Sequence, residues 1–333
     1  MKNNSFTFKM LVSLWFLLFT PLGYASSIFD EIANQISEND YTGYVQNLEN
    51  FGTRYYNTAG NVSAANYIHQ TFSGFGLSTD YHTFTHNGST YSNVVGTLLG
   101  SRDPDQVYII GAHFDSTSNN PQVNAPGADD NASGVAGVLE IASVLSRFTF
   151  DSTIRFITFN LEELGLIGSQ IYAADAQSRG DQIQAMINLD MIGYTGGDRN
   201  EDLELFGDNW LIDRIAYFAG QYTNLPIEKH YGNVGGSDHY YFHSSLYPGS
   251  SSLLAVEDTP GEIHGGSNPY YHKTTDRSGN LDFNFAINTT VISALTLAEL
   301  AQINAIPEPS VITLFITGAL TFLLAVKKKG SNN

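Results

Sequence analysis

Between residues 28 and 76 the chain reads as helical and mixed. In "SIFDEIANQI" and "AANYIHQTFSGFG" apolar residues recur at three- and four-residue steps, and the second run ends at glycine. Residues 81–99, "YHTFTHNGSTYSNVVGTLL", alternate instead, and Asn87-Gly88 in their midst marks a β-hairpin. Short apolar runs then alternate with helical stretches. Strands are predicted over 106–114, 152–161 and 183–194, and helices over 131–148, 165–177, 209–222 and 282–303. This alternation predicts a mainly parallel sheet covered by helices on both faces. Residues 229–275 are rich in Gly, Tyr, His and Ser with little periodicity and read as site-forming loop.

The two ends stand apart from this pattern. Lys2 and Lys9 precede the apolar run Met10–Phe19, and Gly23 and Ala25 are small residues spaced for a signal peptidase, so residues 1–25 are expected to be a leader cleaved after Ala25. Near the other end, Pro307-Glu308-Pro309 leads into 16 uncharged residues and then Lys327, Lys328 and Lys329. As a helix those 16 residues cover roughly 24 Å, a little short of the hydrocarbon core. The plain reading is a membrane anchor. The tripeptide, apolar span and basic end together resemble the PEP-CTERM sorting signal of Gram-negative bacteria. That resemblance implies an exosortase-type transpeptidase as partner, a membrane stage that is at least transient, and a final location in the periplasm, envelope or medium. Residues 26–304 remain as one large domain.

Composition narrows the function. Fifteen basic against 33 acidic residues give a formal net charge of −18, and the two ends hold five of the lysines, so the middle is more acidic still. A nucleic-acid partner is excluded on that balance, since phosphate binding needs a basic patch. The acidity is compatible with cation binding. With no cysteine, stability must come from burial or bound metal rather than disulfides.

In parallel sheets, ligands collect at the carboxyl ends of the strands. The polar residues there are His113 and Asp115, then Glu162 and Glu163, then Asp190, and the turn "GADDNASG" lies between the first strand and its helix. Singly these signals are weak. His113 alone reads as a hydrogen-bonded structural histidine, adjacent glutamates as a helix start, and Asp190 as either a buried structural aspartate or a ligand. Together with a histidine in "YYHKTTD", the residues suit zinc, and a shared carboxylate suits two zinc ions. The chemistry implied is metal-assisted hydrolysis, most simply of an amide, with one extra glutamate as general base.

"GAHFDS", "PGADDNASG", "NLEELGLIGS", "NLDMIGY", "GGSDHYYF" and "YYHKTTD" occur in this order. In these motifs the chain resembles the secreted di-zinc aminopeptidases over about residues 50–300. That group includes bacterial leucyl aminopeptidase, aminopeptidase Y and, more distantly, glutamate carboxypeptidase II. The resemblance implies a phosphorylase/hydrolase-like three-layer α/β/α sandwich with a mixed, mostly parallel sheet. It also implies two Zn2+ per chain, with His113, Asp130 and Asp190 on one and Asp130, Glu163 and His272 on the other. Asp115 would fix the imidazole of His113, Glu162 would be the general base, and Asp129 a helix-start residue. Asp238 and His239 match the family's "SDH" as support for the pocket. His264 and His239 compete for the last ligand position, and Tyr271 and Asp276 favour His272. Lys273 and Arg277 depart from the family pattern.

The expected activity is removal of N-terminal residues from peptides, with Tyr231, Tyr240, Tyr241 and Phe242 expected at the side-chain subsite. Three other readings share the fold: a single-zinc glutaminyl-peptide cyclotransferase, a carboxypeptidase, and a non-catalytic surface module. The cyclotransferase is disfavoured because ligands for both metals are present, and the carboxypeptidase because arginine is scarce near the motifs. Retention of both Glu162 and Glu163 argues against the surface module.

Overall fold

The structure, a computed structural model, describes residues 24–195, 202–232, 236–257 and 268–304. The expected C-terminal sorting segment, nearly all of the leader, and His264 lie outside these residues.

Three helices come first: α1 (Tyr24–Gln35), α2 (Glu38–Glu49) and α3 (Ala59–Gly74). Ser37 and Thr58 start the second and third by accepting from the amides of Asp40 and Asn61. The hairpin follows as β1 (Ser78–His86) and β2 (Ser89–Leu98). Its two-residue turn places Asn87 at φ 48° and Gly88 at φ 78°, which asparagine and glycine tolerate best.

Beyond it run β3 (Asp103–His113), α4 (Gly134–Leu145), β4 (Thr149–Phe150), β5 (Ser152–Phe159), α5 (Ile167–Arg179) and β6 (Gln182–Leu189). After them come β7 (Leu203–Gly207), α6 (Asn209–Tyr222), β8 (Ile227–Tyr231), β9 (Ser251–Val256), α7 (Phe283–Leu300) and β10 (Ile303–Asn304).

Eight strands form one mixed sheet in the order β1-β2-β5-β3-β6-β9-β7-β8, and β4 and β10 pair separately. The central strands β5, β3, β6 and β9 are parallel. The hairpin joins them antiparallel at one side, and β7 joins antiparallel at the other. Alternate residues of β3 divide between two cores. Ile110 and Ala112 pack with α4 and α7, and Val107 and Ile109 pack with Tyr172 and Ala173 of α5. Eleven of the twelve residues of α4 are buried, which is why its sequence is apolar on nearly every side, with Glu140 and Ser143 as the exceptions. This is the three-layer arrangement expected from the sequence.

Two expectations need correction. The helix expected from 131 starts only at Gly134, and residues 128–133 form a wide turn in which Asp130 and Asn131 leave helical φ/ψ. Gly134 is required there, because a Cβ would sit 2.3 Å from the carbonyl oxygen of Leu189. The stretch 229–275 is not simply loop: it contains β9, buried between β6 and β7. A strand covered on both faces shows no alternation, and "SSLLAV" has none.

Candidate metal centre

The four parallel strands end on one edge of the sheet. His113 is the last residue of β3, Glu162 and Glu163 follow β5 after a two-residue link, and Asp190 is the first residue past β6. The turn carrying Asp130 lies between β3 and α4, and His272 is supplied by the loop before α7. Chain direction therefore delivers the predicted residues to one crevice.

Their side chains meet there. His113 Nε2 lies 3.2 Å from Asp130 Oδ1 and 3.3 Å from Asp190 Oδ1. His272 Nε2 lies 3.2 Å from Asp130 Oδ2 and 3.0 Å from Glu163 Oε2. Asp130 thus turns one oxygen to each imidazole. Glu162 Oε2 stands 4.0 Å from His113 Nε2, outside both trios. Within each trio all donor atoms lie within 4.8 Å of one another, near enough to share one cation. Glu163 Oε1 is buried with no hydrogen-bond partner among the described residues. Nitrogen and carboxylate donors in this number suit zinc or a neighbouring divalent ion. Neither His239, which is buried, nor any other described histidine joins these two trios.

The electrostatics have the same cause. Burial opposes the charge on both imidazoles, but the carboxylates outweigh it. His272 is raised to about 10 by Asp130 and Glu163, and His113 is raised well above the ordinary range, chiefly by Asp190 and Glu162. Asp130 resists its own burial and is held far below the usual carboxylate range by the two imidazoles. Burial pushes Glu163 up to about 8 and Glu162 well above its ordinary value. The cluster balances its charge with protons, and a divalent cation would displace them.

A second ring of contacts fixes these side chains. His113 Nδ1 is 3.1 Å from the backbone oxygen of Asp115 and 3.6 Å from its carboxylate. The carboxylate of Asp115 instead accepts from the amides of Glu162 at 3.1 Å and Glu163 at 3.3 Å. It sets the imidazole through its backbone and the glutamate pair through its side chain. Asp129 differs from the expected helix-start residue. Its carboxylate accepts from the amides of Gly193 and Tyr194 and from Asn268 Nδ2, tying the turn to two distant loops. Asp238 is buried beside the centre, and burial pushes its carboxyl up to about 7.

Sequence reasoning missed three supports. Ser237 donates to Asp190 Oδ2 and accepts from Asn188 Nδ2. Asp276 accepts from the amides of Asp129 and Asp130. Arg54, fully buried, gives its guanidinium to the carbonyls of Leu48, Phe114, Pro126 and Gly127 beneath the turn. An arginine inside an otherwise neutral "FGTRYY" was the available signal.

Beside the trios is a cavity of about 390 Å³, with apolar walls from Met191, Phe206, Leu254, Val256 and Tyr271. None of Tyr231, Tyr240, Tyr241 and Phe242 lines it. Phe242 is buried in the α5 core against Phe159, and Tyr231 is solvent-exposed. Aromatic content alone does not say which face of a loop looks inward. A third trio, Glu204, Glu228 and His230, lies on paired β7 and β8, where the His230 ring stacks on Phe206.

A model described as Peptidase family M28 matches residues 93–296. A "Probable leucine aminopeptidase" of Arthroderma otae is 29% identical over 296 residues, covering 84% of this chain and 76% of that protein. Among solved structures, a zinc aminopeptidase from Bacillus subtilis superposes with a TM-score of 0.70 at 17% identity, over 80% of this chain and 96% of its own. Glutaminyl cyclase of Porphyromonas gingivalis superposes at 0.67 with 22% identity, over 80% and 99%. At such identities the solved structures speak for the fold alone.

Proposed function

Because the chain belongs to peptidase family M28 and is a metallopeptidase, we propose that it is a zinc aminopeptidase that removes N-terminal residues from peptides. Two zinc ions would be held by His113, Asp130 and Asp190 and by Asp130, Glu163 and His272. The observation that carries this is the placement of Asp130, with one oxygen toward each histidine. Such ions, when bound, polarise the scissile carbonyl and make water a competent nucleophile near neutral pH.

The chain's own residues supply the rest. Glu162 makes none of the close contacts within the trios, its Oε2 standing 4.0 Å from His113 Nε2. It accepts a proton from the attacking water and passes it to the leaving amine. Asp115 keeps the Glu162 backbone in place during that exchange. The apolar cavity takes the side chain of the N-terminal residue.

The alternatives are weaker on specific grounds. A single-zinc cyclotransferase leaves the second complete trio without a role. A carboxypeptidase wants a cation for the substrate carboxylate, and the guanidinium nitrogens of Arg54 are already spent on backbone carbonyls. A non-catalytic module leaves Glu162 unexplained.

The protein is further proposed to be exported, cleaved after Ala25, and sorted through residues 305–333 by an exosortase-type enzyme of a Gram-negative bacterium. Residues 26–304 would form the peptidase domain. The support is the leader-like Lys2–Ala25 and the Pro307-Glu308-Pro309 motif with its apolar and basic flanks.

A panel of aminoacyl chromogenic amides, assayed with and without chelator, tests the activity. Chelator-sensitive cleavage is expected, and indifference to chelator sinks the reading. Intact mass of the protein recovered from membrane and medium fractions tests the processing.

A further inference from the structure

A second groove of about 650 Å³ lies between the start of α3 and the β1–β2 hairpin. Its lining contains no charged side chain, in a protein with net charge −18. Three tyrosines stand along it: Tyr56, Tyr81 and Tyr91. Tyr81 donates to Asn66 Oδ1 at 2.8 Å, and the rings of Tyr56 and Tyr91 lie 6.1 Å apart. The floor is the buried amide pair Asn61 and Asn160, which exchange hydrogen bonds at 3.0 and 3.1 Å. Its size is that of a ligand site.

Two stretches of chain lead from this groove toward the metal centre. Asn160 precedes Glu162 by two residues, at most about 7 Å of chain. Tyr56 packs edge-on against Tyr55 with ring centroids 4.7 Å apart. Tyr55 adjoins Arg54, whose guanidinium holds the carbonyl of Gly127 in the Asp130 turn. The apolar cavity lies on the other side of the trios, toward β7 and β9. If the N-terminal side chain occupies that cavity and Glu162 protonates the leaving amine, this groove, on the Asn160 side of Glu162, is placed for the remainder of the substrate.

Building on the aminopeptidase reading, we infer that this groove binds the uncharged backbone of the peptide remainder, which makes oligopeptides rather than dipeptides the substrate class. Amides and hydroxyls on the walls pair with peptide groups irrespective of side chain. The tyrosines supply rigid contact area at low entropic cost. Chain length is then read by binding, beyond the reacting bond.

The test uses the full-length, zinc-loaded protein with uncharged peptides of two to six residues sharing one N-terminal residue, alongside the chromogenic amide of that residue. The value of kcat/KM is expected to rise about tenfold from two to five residues and then level, mostly through KM. Tyr91→Ala and Asn66→Ala should each cut the pentapeptide value about fivefold while leaving the chromogenic amide unchanged. A labelled pentapeptide should bind Glu162→Gln protein, and more weakly when Tyr91→Ala is added.

A flat length dependence overturns the inference, as does a rise untouched by both variants. Competition by maltopentaose for the labelled peptide, with no length dependence in turnover, assigns the groove to neutral glycans instead. If the chromogenic amide is not cleaved at all, the aminopeptidase reading fails, and labelled-peptide binding still decides the groove.

Discussion

The carboxylate of Asp276 accepts from the backbone amide of Asp130 at 3.1 Å, across 146 positions of chain. It also accepts from the amide of Asp129 at 2.9 Å. Asp276 sits four residues after His272, so the loop that presents one proposed ligand also grips the turn that presents another. Asp276→Ala should lower zinc affinity about 10- to 100-fold, the usual cost of losing such a support. Asp276→Asn, which keeps one acceptor, should fall between. Competition with a chromogenic chelator measures both, and unchanged affinity in the alanine variant would exclude the role.

Glu162→Gln separates binding from turnover. The variant should keep its metal and lose roughly 10²- to 10⁴-fold in kcat, the range for a missing general base. Normal turnover would remove Glu162 from that assignment.

Asp130→Ala acts on both trios at once. Elemental analysis should find about two zinc ions in the parent protein and a loss at both positions in the variant, because Asp130 turns one oxygen to each trio. One ion in the parent protein would favour the single-zinc reading. His113→Ala, which belongs to one trio, should spare the other.

Metal removal should destabilise without unfolding. The apolar cores on both faces of the sheet do not depend on the centre. A ligand that binds only the folded state adds stability that grows with the logarithm of its concentration over its dissociation constant. The melting temperature should therefore drop on exhaustive chelation and recover with added zinc, and far-ultraviolet circular dichroism should barely change.

Glu140 of α4 gives a pH signature remote from the metal. It is 1% exposed, its Oε1 accepts from Ser37 N at 2.7 Å, and its Oε2 has no hydrogen-bond partner among the described residues. Burial, with Asp40 nearby, raises it from 4.5 to about 7. A raised carboxyl means that the folded protein binds the proton more tightly than the unfolded chain. Its stabilising share is complete below 4.5 and is lost as pH rises through about 7. Melting temperature should fall across that window, and Glu140→Gln should flatten the slope. An equal slope in both proteins would contradict this.

The convergence of the centre's side chains was legible because charged residues directly after apolar runs are conspicuous. His113, Glu162, Glu163 and Asp190 all stand at strand ends, and the sheet needed only its parallel core to gather them. The sharing of Asp130 came from family resemblance, since "ADDN" itself does not say which aspartate turns inward. The supports left no trace of this kind. Asp129, Asp276 and Ser237 act through hydrogen bonds spanning some 50 to 150 positions, and such bonds impose no period on the sequence. The outer strands escaped notice for another reason: β7 and β8 have five residues each, too few to establish alternation.

The Arg54 guanidinium joins three separate stretches of chain through four carbonyl oxygens, in a protein without a single cysteine. A clasp of this sort has no redox potential. It closes when the surrounding backbone arrives and stays shut whatever the thiol balance outside. Disulfide chemistry therefore has no part in assembling the centre, in a reducing cell interior or in oxidising surroundings, and neither a thiol oxidase nor a disulfide isomerase is called for.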